Sequence, residues 1–200
     1  TDVLQEGPED DDVFIASSWQ VIVKSFLLCI TTVMILVGNS LCLVVLKYCH
    51  NINDISRQFM YSLSVADLFI GVIIALPAAV SSPLGFWPFG RALCYINSHI
   101  GGAMGFITSW SLVALSAERY LAITMPLRYP SIVTLGGTRI TLASIWIGAM
   151  LFETLVAYMY NFNVYFDAPT YMCWFLSLQS ASWITFMSFI LFLVAPLILI

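Results

Sequence analysis

The sequence predicts an all-α bundle of membrane-spanning helices, on three observations. Of 200 residues, 60% are hydrophobic and only 9% charged, with a mean hydropathy of +0.94. Soluble domains carry about 25% charged residues, so these charges cannot clothe a soluble surface. Five stretches are long and apolar enough to cross a hydrocarbon core of ~30 Å, which takes roughly 20 helical residues. Most of the charges fall in the connections and in one terminal tail.

Helices are placed at about 20–48, 55–80, 91–124, 137–160 and 179–200, each built around a stretch free of charge: Ser25 to Leu46, Leu68 to Gly90, Ala92 to Ala117, Ile140 to Phe152 and Ala168 to Ile200. Ahead of them, residues 1–19 read as an acidic tail. Six of the eleven acids, Asp2, Glu6, Glu9, Asp10, Asp11 and Asp12, lie in its first twelve residues, a composition that stays solvated. Residues 20–200 form one transmembrane domain. A start without methionine and an end inside an apolar run make the chain read as part of a longer polypeptide.

Charge asymmetry gives an orientation. Lys47, Arg57, Arg119, Arg128 and Arg139 fall in or beside the connections after spans one and three, and only Lys24 and Arg91 fall on the other side. The positive-inside rule then puts the N-terminus outside the cell. Trp19, Trp87, Tyr158, Tyr160, Trp174 and Trp183 lie where interfacial belts are expected.

Ionisable groups within spans cost several kcal/mol unless they face protein or water. Asp67 lies in the second span and Asn39 at comparable depth in the first. They read either as hydrogen-bonded glue between helices or as oxygen ligands for a hard cation. Glu118-Arg119-Tyr120 closes the third span, and Glu153 sits towards the outer end of the fourth. None of the five cysteines forms a CxxC pair, which leaves room for one bridge. HExxH, GxSxG, P-loop and dinucleotide motifs are missing from the sequence, so nothing in it points to an enzyme.

The motifs recur once per helix in an order that resembles the rhodopsin-like (class A) G-protein-coupled receptors. They are Gly38-Asn39, Leu63-Ser64-Val65-Ala66-Asp67, Trp87-Pro88-Phe89-Gly90 ahead of Cys94, Glu118-Arg119-Tyr120 twenty-five residues later, then Pro126, Trp146, Cys173 and Pro196. The resemblance covers nearly the whole chain and implies a seven-transmembrane bundle of which five helices are present. Two positions depart from it. Glu118 stands where many members have Asp, and Glu153 lies where helix four often has proline.

That resemblance implies roles for individual residues. Glu118, Arg119, Tyr120 and Pro126 serve G-protein coupling and activation, with the Glu118 carboxylate holding Arg119 at rest. Asp67, Thr108 and Asn39 form a polar network in which Asp67 coordinates sodium as an allosteric modulator; no other metal or cofactor is expected. Cys94 pairs with Cys173. Trp146 and Pro196 are structural. The implied partners are a heterotrimeric G protein, arrestin, membrane lipid and a small-molecule or peptide ligand, with no nucleic acid, and the site of action is the plasma membrane. Gly101 stands where amine receptors carry their aspartate, so a typical biogenic amine is not expected. Candidate pocket residues are Asn97, Gly101, Gly105, Glu153, Trp174, Phe175 and Ser188. Gly101 and Gly105 also make a GxxxG spacing that suits close helix packing.

Two rival readings stay open on sequence alone. An opsin-like photoreceptor would use Asp167 six residues before Cys173, although Asn97 occupies the usual counterion position. A polytopic transporter or channel would need Asp67 and Glu153 as intramembrane acids, but its paired Gly/Pro interruptions are not found. The aromatic-rich outer loop, about Asn161 to Gln179, suits either an inward-folded lid or an interfacial belt.

Overall fold

A computed structural model describes residues 18–48, 52–159, 161 and 163–175. The expected helix at 179–200, with Ser188 and Pro196, and residues 1–17 of the acidic tail lie outside the described residues. Within them, four helices match four of the five expected spans: α1 (Ser18–Tyr48), α2 (Asp54–Leu84), α3 (Gly90–Thr124) and α4 (Leu135–Met159). All four are long and apolar enough to cross a membrane.

Each helix is mostly apolar around its circumference, so the faces that do not meet a neighbour still expose large side chains. On α1, Phe26 is 64% and Met34 69% exposed. In water such a surface would aggregate; in lipid it is solvated. The tightest core lies where α2, α3 and α4 meet, at Ala66, Ala103, Met104, Ile107 and Ala149, all at most 1% exposed. Three of the five are alanines, whose small side chains let helix backbones approach closely. The Trp146 indole of α4 adds a bond across this junction, donating to the Ser62 hydroxyl of α2 (2.8 Å).

Helix ends follow local chemistry. The Asn53 side chain caps α2 by accepting from the Ile55 amide, and Asp54 in the first turn complements the helix dipole. α2 runs four residues past the expected stop at 80 because its terminator is Gly85, at φ 72, where a left-handed residue closes the last turn. Inside α2, Ile70–Ala75 widens to π geometry just ahead of Pro77, which has no amide hydrogen for the Ile73 carbonyl. α3 stops at Thr124 since Pro126 drives Met125 out of helical geometry (φ −132, ψ 57). A single helical turn, Tyr129–Ile132, follows.

The chain after α4 adds a small antiparallel hairpin to the bundle, β1 (Val164–Asp167) and β2 (Met172–Phe175), in register Val164↔Phe175 through Asp167↔Met172. Aromatic and β-branched residues favour strands. The Asp167 carboxylate closes the turn by accepting from the Thr170 amide (3.2 Å) and hydroxyl (2.6 Å).

Candidate functional site

The functional candidates gather at three depths of the bundle. At the end where α3 closes and α2 begins, Glu118 is 4% exposed, with Ser56 of α2 and Tyr129 of the chain after Pro126 against it. Tyr129 donates its phenol to one Glu118 oxygen (2.5 Å), and Ser56 of α2 donates to both (3.4 and 3.3 Å). Asn53 in turn donates to the Tyr129 hydroxyl (3.4 Å). Arg119 is the looser partner, with its Nε 3.5 Å from Glu118 and its side chain 53% exposed. Burial raises the Tyr129 phenol above its ordinary value, and the Glu118 bond and charge raise it further; Asn53 and Arg119 oppose the shift.

The expected Glu118–Arg119 pair is therefore present, but the acid is anchored mainly by two hydroxyls. Tyr120 faces outward at 64% exposure, and Pro126 lies exposed in the loop. Leu127, next to it, is 96% exposed. Sequence reasoning missed Ser56, Tyr129 and Leu127 as members of this cluster. The signal was a proline stop six residues past Tyr120, which ends the helix and lets the next residues fold back towards Glu118.

At mid-depth the Thr108 hydroxyl donates to Asp67 Oδ1 (3.4 Å), joining α3 to α2 as expected. Asn39 is not brought to Asp67: its amide donates to the Ile35 carbonyl one turn back on α1 (2.9 Å), and no hydrogen bond joins the two among the described residues. A side chain that can reach its own helix backbone finds that acceptor without any tertiary constraint.

At the opposite end of the bundle, Cys94 and Cys173 form the expected disulfide, with Cα atoms 5.3 Å apart and both residues at most 2% exposed. Trp87 packs there against Phe89 and Phe166. Asn97, 2% exposed, has both ends of its amide engaged. Its nitrogen donates to the Ile73 carbonyl that Pro77 cannot serve (2.8 Å), and its oxygen accepts from the Cys173 amide (3.1 Å). One side chain thus clasps the π turn of α2 to the disulfide-bonded strand.

The hairpin packs against α3 and α4. Phe175 packs beside Val156 of α4 and meets Tyr95 edge-on (5.9 Å), while Trp174 stays 48% exposed with its indole on the Thr170 hydroxyl. At the other end, Pro169, Thr170 and Tyr171 share a cavity of about 340 Å³ with Lys24, Leu27, Leu28 and Thr31 of α1. Gly101 approaches the Ile74 side chain of α2, and Gly102 lies against the Glu153 carboxyl so closely that a Cβ would collide with it. Gly105 lies one turn further along α3. Glu153 is 6% exposed, tucked between α3 and α4.

The profile described as "7 transmembrane receptor (rhodopsin family)" matches residues 38–200. The chain belongs to that family. Among curated relatives, the receptor is 29% identical over 126 residues to octopamine receptor 1 of Lymnaea stagnalis, covering 63% of this chain and 20% of that protein. It is 31% identical over 160 residues to neuropeptide FF receptor 1 of Homo sapiens, 74% of this chain and 35% of the relative. Probable G-protein coupled receptor 101 of Homo sapiens is 31% identical over 178 residues, 88% of this chain and 34% of the relative. The receptor sequence thus spans only about a fifth to a third of these proteins.

Proposed function

We propose that the whole receptor sits in the plasma membrane with its N-terminus outside, takes an extracellular ligand beneath the hairpin, and activates a heterotrimeric G protein from its inner end. The observation that carries this reading is the inner cluster. Arg119 is half exposed beside an acid held by other groups, and nearly all of Leu127 is open for a partner to cover. A buried carboxylate pinned by hydroxyls and loosely paired with a mobile guanidinium suits a two-state latch, in which Arg119 leaves Glu118 for the G protein. Tyr120 and Pro126 border the same surface, which arrestin would share.

Asp67 and Thr108 would supply two of the oxygens that a sodium ion needs. Bound sodium would favour the resting state by binding it better than the active one. The named relatives include an octopamine receptor and a neuropeptide receptor, but Gly101 lacks the carboxylate that would hold an ammonium, which favours a ligand other than a typical biogenic amine. The pocket would draw on Gly101, Gly105, Glu153, Trp174 and Phe175, with Asn97 holding the hairpin and Ser188 contributing from the fifth span.

Guanine-nucleotide exchange on a purified G protein by the full-length receptor tests this. Arg119→Ala and Leu127→Ala should each lower exchange about tenfold, the scale of a central interface residue. Glu118→Gln should raise basal exchange. Unchanged exchange in all three variants, with normal folding, overturns the reading.

A further inference from the structure

Glu153 is a buried acid with no cation beside it among the described residues. It is 6% exposed between α3 and α4, its carboxyl group against Gly102. The ion pairs among the described residues, Arg57 with Asp54 and Arg119 with Glu118, both lie at the other end of the bundle. At the hairpin end, Arg91 donates to Asn163 (3.3 Å). It stands eleven residues before Gly102 on α3, about 16 Å along the helix. Lys24 lines the cavity that α1 shares with the hairpin. Residues 176–200 contain no lysine, arginine or histidine. A charge this deep in a span is costly unless something meets it, so the counter-charge of Glu153 is left for a group that binds there.

The surroundings of the carboxyl say what kind of cation fits. On α3, Tyr95, His99, Gly102 and Phe106 fall at the spacings of one helix face. Tyr95 stacks on His99 (5.8 Å) and meets Phe175 of β2 edge-on (5.9 Å). On the far side of Gly102, Phe106 stacks on Phe152 of α4 (6.1 Å). Glu153, against Gly102, therefore lies between two aromatic layers. The Nδ1 of His99 is buried without a hydrogen-bond partner, which leaves a second unused polar atom one turn from Gly102.

We infer, on the reading that the receptor takes its ligand beneath the hairpin, that Glu153 binds a guanidinium- or amidinium-type group of that ligand, carried by an arginine side chain or by a small amidine. A planar, delocalised cation donates two parallel N–H bonds to one carboxylate and lays its faces against aromatic rings. A neutral His99 would accept a further N–H at Nδ1. An ammonium is a compact, strongly hydrated point charge that lacks the fork and the flat faces. The charge that Gly101 does not supply on α3 is thus supplied from α4.

The probes are benzamidine and N-acetylarginine amide, with benzamide and N-acetylcitrulline amide as uncharged counterparts and benzylamine as an ammonium of similar size. Each is titrated onto the full-length receptor and read by saturation-transfer NMR. Benzamidine, N-acetylarginine amide or both should bind about tenfold more tightly than the uncharged counterpart, with benzylamine weaker than benzamidine. The tighter of the two tells a small amidine from an arginine-bearing peptide. Glu153→Gln keeps the shape and removes the charge. It should weaken the cations about thirtyfold, the scale of a buried charge pair that loses one partner, and leave benzamide unaffected. Without any probe, Glu153→Gln should melt at the same temperature or higher, because it removes an unmatched charge. A lower melting temperature would mean that a cation elsewhere in the receptor already holds Glu153. That result, no binding by either cation, equal binding of charged and uncharged probes, benzylamine as tight as benzamidine, or cations indifferent to Glu153→Gln overturns the proposal. Binding is read without a G protein, so its failure and a failure of nucleotide exchange are separate results.

Discussion

The phenol of Tyr129 donates to the carboxylate of Glu118 across eleven residues of chain, so the loop after α3 fastens the acid that precedes Arg119. Removing that hydroxyl leaves Ser56 as the remaining hydroxyl donor seen at Glu118. Tyr129→Phe should therefore raise basal nucleotide exchange several-fold, in the same direction as Glu118→Gln. Radiolabelled GTP-analogue uptake by membranes without ligand measures it, and unaltered uptake would count against the anchor.

The same contact predicts a pH effect of definite sign. The Tyr129 phenol is raised by burial first and by Glu118 second. Its contribution to folding is thus complete below the ordinary phenol value near 10 and is lost as pH climbs through the raised one. Ultraviolet difference titration of the receptor against Tyr129→Phe should place this tyrosine above the exposed ones.

Asn97 and Pro77 should be coupled. Asn97→Leu strands both the Ile73 carbonyl and the Cys173 amide, at about 1–3 kcal/mol per buried group. Pro77→Ala returns an amide hydrogen that can serve Ile73, so the double variant should be more stable than the sum of the single effects by about 1 kcal/mol. Thermal melting of the four proteins completes the cycle; strict additivity would show that Asn97 does not stand in for the missing helix bond.

A methyl group at Gly102 meets the Glu153 carboxyl. Gly102→Ala should destabilise by about 1–3 kcal/mol through overpacking, and Glu153→Ala in the same chain should recover most of it. If the second change makes the first worse, the two residues do not share the space.

Cutting the Cys94–Cys173 bridge frees a loop of 79 residues. Chain entropy alone gives up to about 4–5 kcal/mol, less the restraint that the membrane places on the unfolded chain. Cys173→Ser should lower the melting temperature and raise hydrogen exchange across Val164–Phe175 together. A hairpin equally protected without the bridge would refute that dependence.

The sequence by itself determined the membrane class, the placing of four helices to within a few residues and the motif order that marks the family. It could do so because length, apolarity and proline or glycine stops are properties of single segments, as at Gly85 and Pro126. Cys94 with Cys173 and Thr108 with Asp67 were legible only through the family likeness. Tertiary structure decided the rest. Ser56 and Tyr129 reach Glu118, Asn97 reaches both Ile73 and Cys173, and Glu153 fits against Gly102, because helices packed side by side bring together residues far apart in the chain. Such pairings depend on helix rotation and crossing, which a one-dimensional pattern does not carry. Asn39 shows the converse: expected with Asp67, it instead donates to the Ile35 carbonyl of its own helix, an acceptor that needs no tertiary contact.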